Sequence, residues 1–375
     1  MSKLSKTHSV SRCALTRAFR GAVWSALIFH TSIGCETVLA APQDGSGLQV
    51  SGAVDIVGGA NTGGGNAVSD RLDVREAEIL LFAPIDHLFD GTFSAAAHRE
   101  EGKYLFEIHE AHIGSSRLIP NFHFKLGQFF LGVGRLNQVH RHEWPFVSAP
   151  KVHREFFGEE GAIDSGGEVG FLLPASFYLD LTGGLTNGWT YGHTHNEGAK
   201  PEVSTHYLRL TSFLPVSDSG DIQAGLNYLG RKSSTKVQTT LLGFDLVGKW
   251  KEASSTKYLL QSELWHRTLR TENTKPEETL GFYFYAQYGF SSQISLGLRL
   301  DTYSVLSLED ATGQRLPNLE YAFVPTLTYK PSEFSTLRVS YNQFQVMRNN
   351  STTSSTGAIE IQAAFVIGSH PSHSF

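Results

Sequence analysis

Histidines form the pattern in this sequence that most clearly suggests a chemical site. His140 and His142 are separated by one residue, and His153 follows in the same stretch. Two imidazoles so spaced in a loop can both reach one Zn²⁺, with a third ligand from elsewhere in the chain. The spacing predicts a zinc site at His140, His142 and His153. The alternative is that they are solvated polar side chains, because no full ligand set is spaced in sequence.

The same stretch carries charged side chains of both signs. They are Arg135, Arg141, Glu143, Lys151, Arg154 and Glu155. The basic members could form a constriction that attracts anions, or they could pair with the carboxylates and brace the chain. Opposed charges across a constriction would create a transverse field, which orients polar solutes without strong selectivity.

Motifs for catalysis are missing from the sequence. It contains no nucleophile elbow and no paired-carboxylate site. The glycine-rich run 58–65 lacks the Lys-Ser/Thr pair of a phosphate-binding loop. We therefore expect no enzymatic activity and no cofactor, with zinc only as an ion that could be transported or sensed.

The charged and histidine-rich stretch follows a predicted strand at 121–129 and has neither a helical nor a strand period. Glycines and prolines interrupt it throughout. A structureless connection of this length is improbable inside a compact soluble domain unless it is functional. We interpret residues 130–165 as the long third outer loop of a membrane β-barrel, folded into the lumen to narrow it.

The dominant period in the rest of the chain is two, which is the strand signal. It predicts sixteen strands, each close to the roughly 9–11 residues of a tilted membrane-spanning strand. They lie near 48–56, 72–82, 90–98, 104–114, 121–129, 166–172, 175–184, 204–213, 220–229, 236–249, 257–267, 279–289, 293–304, 318–329, 334–346 and 357–367. The polar faces would line the lumen and include Lys125, Arg209, Lys249, Arg267, Arg299, Asp301 and Arg338.

The lengths of the predicted connections alternate. Starting from a periplasmic N-terminus, the even-numbered connections are short and most odd-numbered ones are longer, among them 130–165 and 347–356. Short turns on one side and longer loops on the other are typical of an outer-membrane barrel. The sequence also has no apolar run of about eighteen residues, which excludes helical spanning.

The first forty residues are predicted to be a signal peptide, and residues 41–375 to form the barrel. A basic segment precedes the apolar run Gly21–Gly34, and Val38-Leu39-Ala40 offers a cleavage site. Lipoprotein processing at Cys35 is an alternative. Removing residues 1–40 lowers Lys+Arg from 31 to 26 and Asp+Glu from 36 to 35, which leaves a net charge near −9. This acidic balance argues against nucleic acid as a partner.

Three short segments carry a family resemblance: Lys125–Phe129, Gly134–Asn137 and Phe156–Gly161. With them the chain resembles the phosphate-selective porin O and P family and its porin-like relatives, some of which are labelled zinc-regulated outer-membrane receptors. The resemblance implies a sixteen-stranded outer-membrane barrel, often trimeric, whose third outer loop folds inward. Phosphate-selective members present a basic pathway, whereas the polar strand faces here mix seven acidic and six basic residues.

The sequence as a whole predicts an outer-membrane porin-like channel for passive diffusion of small hydrophilic solutes or ions. Its partners would be outer-membrane lipid, the solutes and, in a homotrimer, further copies of the chain. One alternative is a metal-responsive channel that takes up zinc or a zinc chelate. Another is a secreted, soluble β-sandwich that binds a glycan or partner.

Overall fold

A computed structural model describes residues 47–62, 71–100, 103–189, 191, 199–253, 255–309, 312–349 and 351–368. The predicted signal peptide and Cys35 lie outside these residues. Within the described part, a single antiparallel sheet of sixteen strands closes on itself. The closing pair joins the first strand to the last, with Ser51 opposite Gly368 and Asn61 opposite Ala358.

Each strand pairs with its neighbours in sequence, so the barrel is a continuous up-and-down meander. The strands are β1 (Gln49–Asn61), β2 (Asp73–Pro84), β3 (Asp90–Glu100), β4 (Lys103–Ser115), β5 (Phe122–Phe130), β6 (Ile163–Leu172), β7 (Tyr178–Thr186), β8 (Val203–Ser217), β9 (Gly220–Lys232), β10 (Gln238–Glu252), β11 (Ser255–Arg270), β12 (Glu277–Gly289), β13 (Ile294–Val305), β14 (Asn318–Ser332), β15 (Ser335–Arg348) and β16 (Ser351–Gly368). The prediction of sixteen strands is confirmed. The alternative of a soluble β-sandwich is wrong, because closure leaves one sheet and not two.

Many apolar side chains of the strands face outward, and many charged ones face inward. Along β13, Leu296 and Leu300 are exposed while Arg299 and Asp301 are buried. Successive side chains of a strand point to opposite faces of the sheet, so a period-two sequence produces this separation. Apolar residues exposed around a whole barrel match the hydrocarbon of a membrane, where closure also satisfies every strand edge.

One predicted connection is wrong. Residues 347–356 were expected to form a longer loop, but β15 and β16 continue pairing to Arg348 opposite Ser351. The run of serine and threonine after Ser351 forms strand because β-branched threonine suits a pleated backbone even where both faces are polar. A register shift between Val346 and Met347 accommodates one extra residue in this hairpin.

Residues 131–162 join β5 to β6 and form the longest connection of the barrel. The segment contains two 3₁₀ turns (Leu136–Gln138 and Arg141–Glu143) and one short helix, α1 (Lys151–Phe157). Helix α1 was not predicted, although Val152 and Phe156 lie four residues apart and are both buried on one helical face. No helix in the described part of the chain is long and apolar enough to cross a membrane.

Candidate lumen constriction

Asn137 closes the neck of the segment 131–162. Its side-chain amide donates to the carbonyl of Leu131 at 2.8 Å, and its Oδ1 accepts the N–H of Ala162 at 2.6 Å. The N–H of Leu131 also donates to the carbonyl of Ala162 at 2.9 Å. Gly161, at φ +109°, has no room for a side chain, since a Cβ would lie 2.7 Å from Asn137 Oδ1. These contacts fix the direction in which the segment leaves the wall.

Glu263 of β11 anchors the first turn of this segment. Its Oε1 accepts the backbone N–H groups of Arg135 and Leu136 at 3.1 and 2.6 Å. The same carboxylate accepts the indole N–H of Trp265 at 2.8 Å and the hydroxyl of Tyr283 at 3.1 Å. Glu263 is buried, so all four donors depend on it rather than on water.

A second anchor uses a buried ion pair. Arg209 of β8 donates to the carbonyl of Gly134 and pairs with Asp245 of β10 at 2.8 Å. Asn227 of β9 accepts the N–H of Gly134 at 2.8 Å and donates to Asp245 at 2.7 Å. Both backbone polar groups of Gly134 are therefore bound to the barrel wall.

The far part of the segment reaches other strands. Arg75 of β2 donates to the carbonyl of Val147 at 2.6 Å, and Arg299 of β13 donates to the carbonyl of Ser148. The hydroxyl of Ser148 donates to Glu360 of β16 at 3.0 Å. In the closed sheet, β8 lies eight strands from β16, on the opposite side of the barrel from β16 and β2. Residues 131–162 therefore cross the interior of the barrel.

An apolar core between this segment and the wall fills part of the interior. The ring of Phe146 meets Tyr283 and Tyr285 edge-on at centroid distances of 5.9 and 5.6 Å, and Phe157 meets Trp265 at 4.8 Å. Its loop members are Leu131, Val133, Leu136, Trp144, Phe146, Ala149, Val152, Phe156, Phe157 and Ala162, and its wall members include Tyr207, Leu229, Leu241, Trp265, Tyr283, Tyr285 and Tyr303. Apart from Phe129 of β5, the wall members come from β8 to β13, so this side of the lumen is closed by packed side chains.

Two β-bulges shape the wall on the opposite side. The register of β1 with β2 skips Arg75, and the register of β3 with β4 skips His109. An extra residue shifts the alternation by one position, so that two consecutive residues can face the same side. Arg75 and Glu76 both contact interior residues, as do His109 and Glu110. Alternation alone would have placed one residue of each pair on the lipid side.

The bulged strands surround His140 and His142 with carboxylates. His140 Nδ1 lies 3.0 Å from Glu78 Oε1, and its Nε2 lies 3.1 Å from Glu110 Oε2. His142 Nδ1 lies 3.5 Å from Glu78 Oε2. Burial disfavours the charged form of His140, but Glu78 and Glu110 outweigh burial and raise its pKa well above the ordinary value. The pKa of His142 is raised in the same way, against burial, by Glu76 and Glu78.

His153 lies elsewhere, in the apolar core. Its ring meets Trp144 edge-on at 5.1 Å and Phe157 at 5.5 Å. Burial, helped by the charge of Arg141, lowers the pKa of His153 to about 3, so this imidazole is neutral. No group of three ligand atoms among the described residues joins His153 to His140 and His142. The geometry therefore does not provide the three-histidine zinc site that the spacing predicted.

The charged residues of the segment brace it. Arg141 pairs with Glu159 at 3.6 Å and Glu160 at 3.5 Å, and Arg154 lies 3.7 Å from Glu159. Lys151 pairs with Glu320 of β14 and, at 3.8 Å, with Glu155. Arg135 caps the first 3₁₀ turn, where its carbonyl accepts the N–H of Gln138 at 3.3 Å. Glu143 ends the second turn, where its N–H donates to the carbonyl of His140 at 3.0 Å. The sequence left two alternatives open for these residues, a constriction that attracts anions and mutual pairing that braces the chain. Mutual pairing describes most of the observed contacts.

Most predicted lumen residues contact interior partners. Lys125 Nζ lies 3.4 Å from Glu168, Arg267 donates to the carbonyl of Glu155 at 3.0 Å, and Arg338 donates to Gln362 at 2.6 Å. Arg299 pairs with Asp301 at 2.9 Å. Lys249 follows Asp245 by four residues on β10, so the two side chains point to the same face of the sheet.

Open space remains between the segment and one side of the wall. A cavity of about 480 Å³ lies against strands β1, β2 and β13–β16. Its charged lining consists of Arg71, Asp73, Arg75, Arg141, Lys151, Arg154, Glu159, Arg299, Asp301 and Glu360. Six of these ten side chains are basic, and both signs occur on the loop side and on the wall side. The lining therefore does not separate the two signs across the cavity.

Comparison with known proteins decides the family. The model of the beta-barrel porin-2, OmpL-like family matches residues 173–368, more than half of the 375 residues. The chain belongs to this family. This OmpL-like porin is also 29% identical over 339 residues to an uncharacterized protein of Aquifex aeolicus (strain VF5), covering 81% of the chain and 70% of that relative.

Solved outer-membrane proteins share the fold of this OmpL-like porin. The anion-selective porin from Comamonas acidovorans aligns with a TM-score of 0.58 at 9% identity, over 85% of this chain and 99% of that one. The channel DcaP of Acinetobacter baumannii gives 0.58 at 11% identity, over 85% and 97%. The trimer form of OmpT from Vibrio cholerae gives 0.56 at 11%, over 85% and 98%. Barrel and family together identify an outer-membrane channel for solute diffusion in the bacterial outer membrane.

Proposed function

We propose that small hydrophilic solutes cross this porin along the cavity between the segment 131–162 and strands β1, β2 and β13–β16. The observation that carries the proposal is the division of the lumen: aromatic packing closes the side of β8–β13, while the other side keeps about 480 Å³ of open space. Water and ions avoid an apolar packed region, so diffusion follows the polar side.

The charge of the cavity favours anions weakly. Its lining has six basic and four acidic side chains. Several of the cations are already paired, Arg299 with Asp301 among them. Paired charges attract a passing ion less than free ones, so we expect a modest anion preference rather than a specific anion site. Specific phosphate transport, as in the family that the sequence resembles, would need a more strongly basic pathway.

Arg154 offers the most direct test of this route, because its side chain lines the cavity and is 41% exposed. In the Arg154→Glu variant, the ratio of chloride to potassium permeability should fall by roughly two- to threefold. The reason is that two units of charge change within a Debye length of the path. The measurement is the reversal potential of single channels in planar bilayers under a potassium chloride gradient.

Arg270→Glu is the matched control, since Arg270 is an exposed arginine at the end of β11 and is not among the cavity-lining residues. It should leave the permeability ratio within error of the wild type. If the two variants shift the reversal potential equally, solutes do not pass along this cavity.

Two further features complete the proposal. The channel acts by diffusion without an enzymatic step, which is supported by the porin family to which the chain belongs. The working assembly is a homotrimer, supported by the trimer form of a fold neighbour. Cross-linking of the detergent-solubilised protein should then give a three-chain species as its largest product, and a single-chain product would contradict the trimer.

A further inference from the structure

Glu78, His109 and His140 bring three potential metal ligands together inside the barrel wall. Glu78 Oε1 lies 3.0 Å from His140 Nδ1 and 3.7 Å from His109 Nδ1. All three residues are buried, and their ligand atoms lie within 4.8 Å of one another. Zinc bonds of about 2.0–2.2 Å in tetrahedral geometry require ligand atoms roughly 3.3–3.5 Å apart. The two separations from Glu78 lie on either side of that value, so small shifts would bring Glu78 and each imidazole to the spacing of two zinc ligands.

Both imidazoles also have a carboxylate on their other nitrogen. His140 Nε2 lies 3.1 Å from Glu110 Oε2, and His109 Nε2 lies 3.4 Å from Glu160 Oε2. A metal-bound histidine usually donates its second ring N–H to a carboxylate or carbonyl, which orients the ring and fixes the tautomer. Here the arrangement occurs twice around one carboxylate. This repetition distinguishes the cluster from an isolated histidine–glutamate pair.

The charge of the cluster also suits a cation. Four carboxylates surround three imidazoles in a region shielded from water, and Arg141 pairs with one of them, that of Glu160. A buried charge needs compensation from a partner or a metal. The carboxylates belong to Glu76, Glu78, Glu110 and Glu160, and the imidazoles to His109, His140 and His142. The second oxygen of Glu78 lies close to Glu76 Oε1 and His142 Nδ1, which are 3.6 Å apart. Either of these two atoms could supply a fourth ligand to the ion.

We propose that Glu78, His109 and His140 form a binding site for one divalent transition-metal ion, and that Zn²⁺ is the ion that fits it. Two imidazoles with one carboxylate suit zinc, while Mg²⁺ and Ca²⁺ prefer oxygen ligands alone. The ligands come from β2, β4 and the segment 131–162, so the ion would fasten the crossing segment to the wall. The site is independent of the diffusion route proposed above, because metal binding is measured without any current.

Calorimetric titration tests the site directly. The purified, chelator-treated protein in detergent is titrated with Zn²⁺ at pH 7.5, and bound metal is counted by mass spectrometry after gel filtration. We expect the wild type to bind one Zn²⁺ per chain, both without Mg²⁺ and with Mg²⁺ in excess. His109→Asn and Glu78→Gln should abolish stoichiometric binding, because each removes a ligand.

Glu110→Gln provides a milder variant in case a ligand variant fails to assemble. Glu110 touches His140 but not the ion, so its loss should weaken Zn²⁺ binding by about 10- to 100-fold. His153→Leu is the matched control: it removes a histidine of the same segment from the apolar core and should keep wild-type affinity. Heat-modifiable gel mobility verifies that each variant forms a barrel.

Three outcomes would overturn the proposal. The first is a wild-type protein that binds no Zn²⁺, in which case protonated imidazoles alone balance the carboxylates. The second is an assembled His109→Asn or Glu110→Gln variant with unchanged affinity, since the ion would then bind elsewhere. A loss of affinity in His153→Leu equal to that in His109→Asn would also overturn it.

Discussion

Replacing Glu263 by alanine is expected to raise the single-channel conductance of this porin. The carboxylate accepts hydrogen bonds from Arg135, Leu136, Trp265 and Tyr283. Each buried donor left without an acceptor costs about 1–3 kcal/mol. The first turn of the segment 131–162 should therefore detach from β11 and open water-filled space on the side of the lumen that it closes in the wild type. Single-channel recording at fixed salt measures the effect.

Glu263→Gln tests whether the acceptor or the charge matters. Glutamine keeps one acceptor oxygen at nearly the same position, so its conductance should lie between those of the alanine variant and the wild type. Glu252→Ala, an exposed carboxylate at the end of β10, serves as the control and should not change the current. An assembled Glu263→Ala barrel with wild-type conductance would show that this turn does not limit flow.

Leu300→Arg is expected to impair membrane assembly. Leu300 lies near the middle of β13 on the lipid face, between Phe284 of β12 and Phe323 of β14. An arginine on the lipid face costs about 2–4 kcal/mol at the bilayer midplane and about 0–1 kcal/mol near its edge. The measurement is the fraction of heat-modifiable, folded barrel after reconstitution into lipid vesicles.

Ile294→Arg is the matched control for depth. Ile294 begins the same strand on the same face, and it is as exposed as Leu300. Its folded fraction should stay close to that of the wild type. Equal losses from the two variants would mean that depth in the bilayer is not what makes Leu300 sensitive.

The strands were predictable because each alternates between two environments, lipid and lumen. Leu296 and Arg299 follow that rule, and the sheet closes as the pattern requires. The bulges at Arg75 and His109 were not predictable, since an extra residue leaves no local mark on a polar strand. They explain why His109 and Glu110 both face the interior.

The histidine contacts were harder to predict than the strands. Spacing along the chain grouped His153 with His140, but α1 places His153 among aromatic rings. The ligands that do approach His140 are Glu78 and Glu110, which are distant in sequence and meet it only when the barrel closes. A single sequence contains no signal for such long-range proximity. One local pattern does predict α1, because Val152 and Phe156 are apolar residues four positions apart. The glycines and prolines on either side of α1 make this helical period difficult to recognise.

The hydrogen bonds that hold residues 131–162 also constrain the order in which the molecule can fold. Ser148 meets Glu360 across 212 positions of chain, and the turn at Arg135 meets Glu263 across 128. Contacts between such distant residues cost the most chain entropy and form late. Strand β16 must be in place before Ser148 can find its partner. The newly closed barrel is therefore expected to be wider inside, and the apolar core along β8–β13 packs only after the aromatic side chains of the segment have entered the lumen.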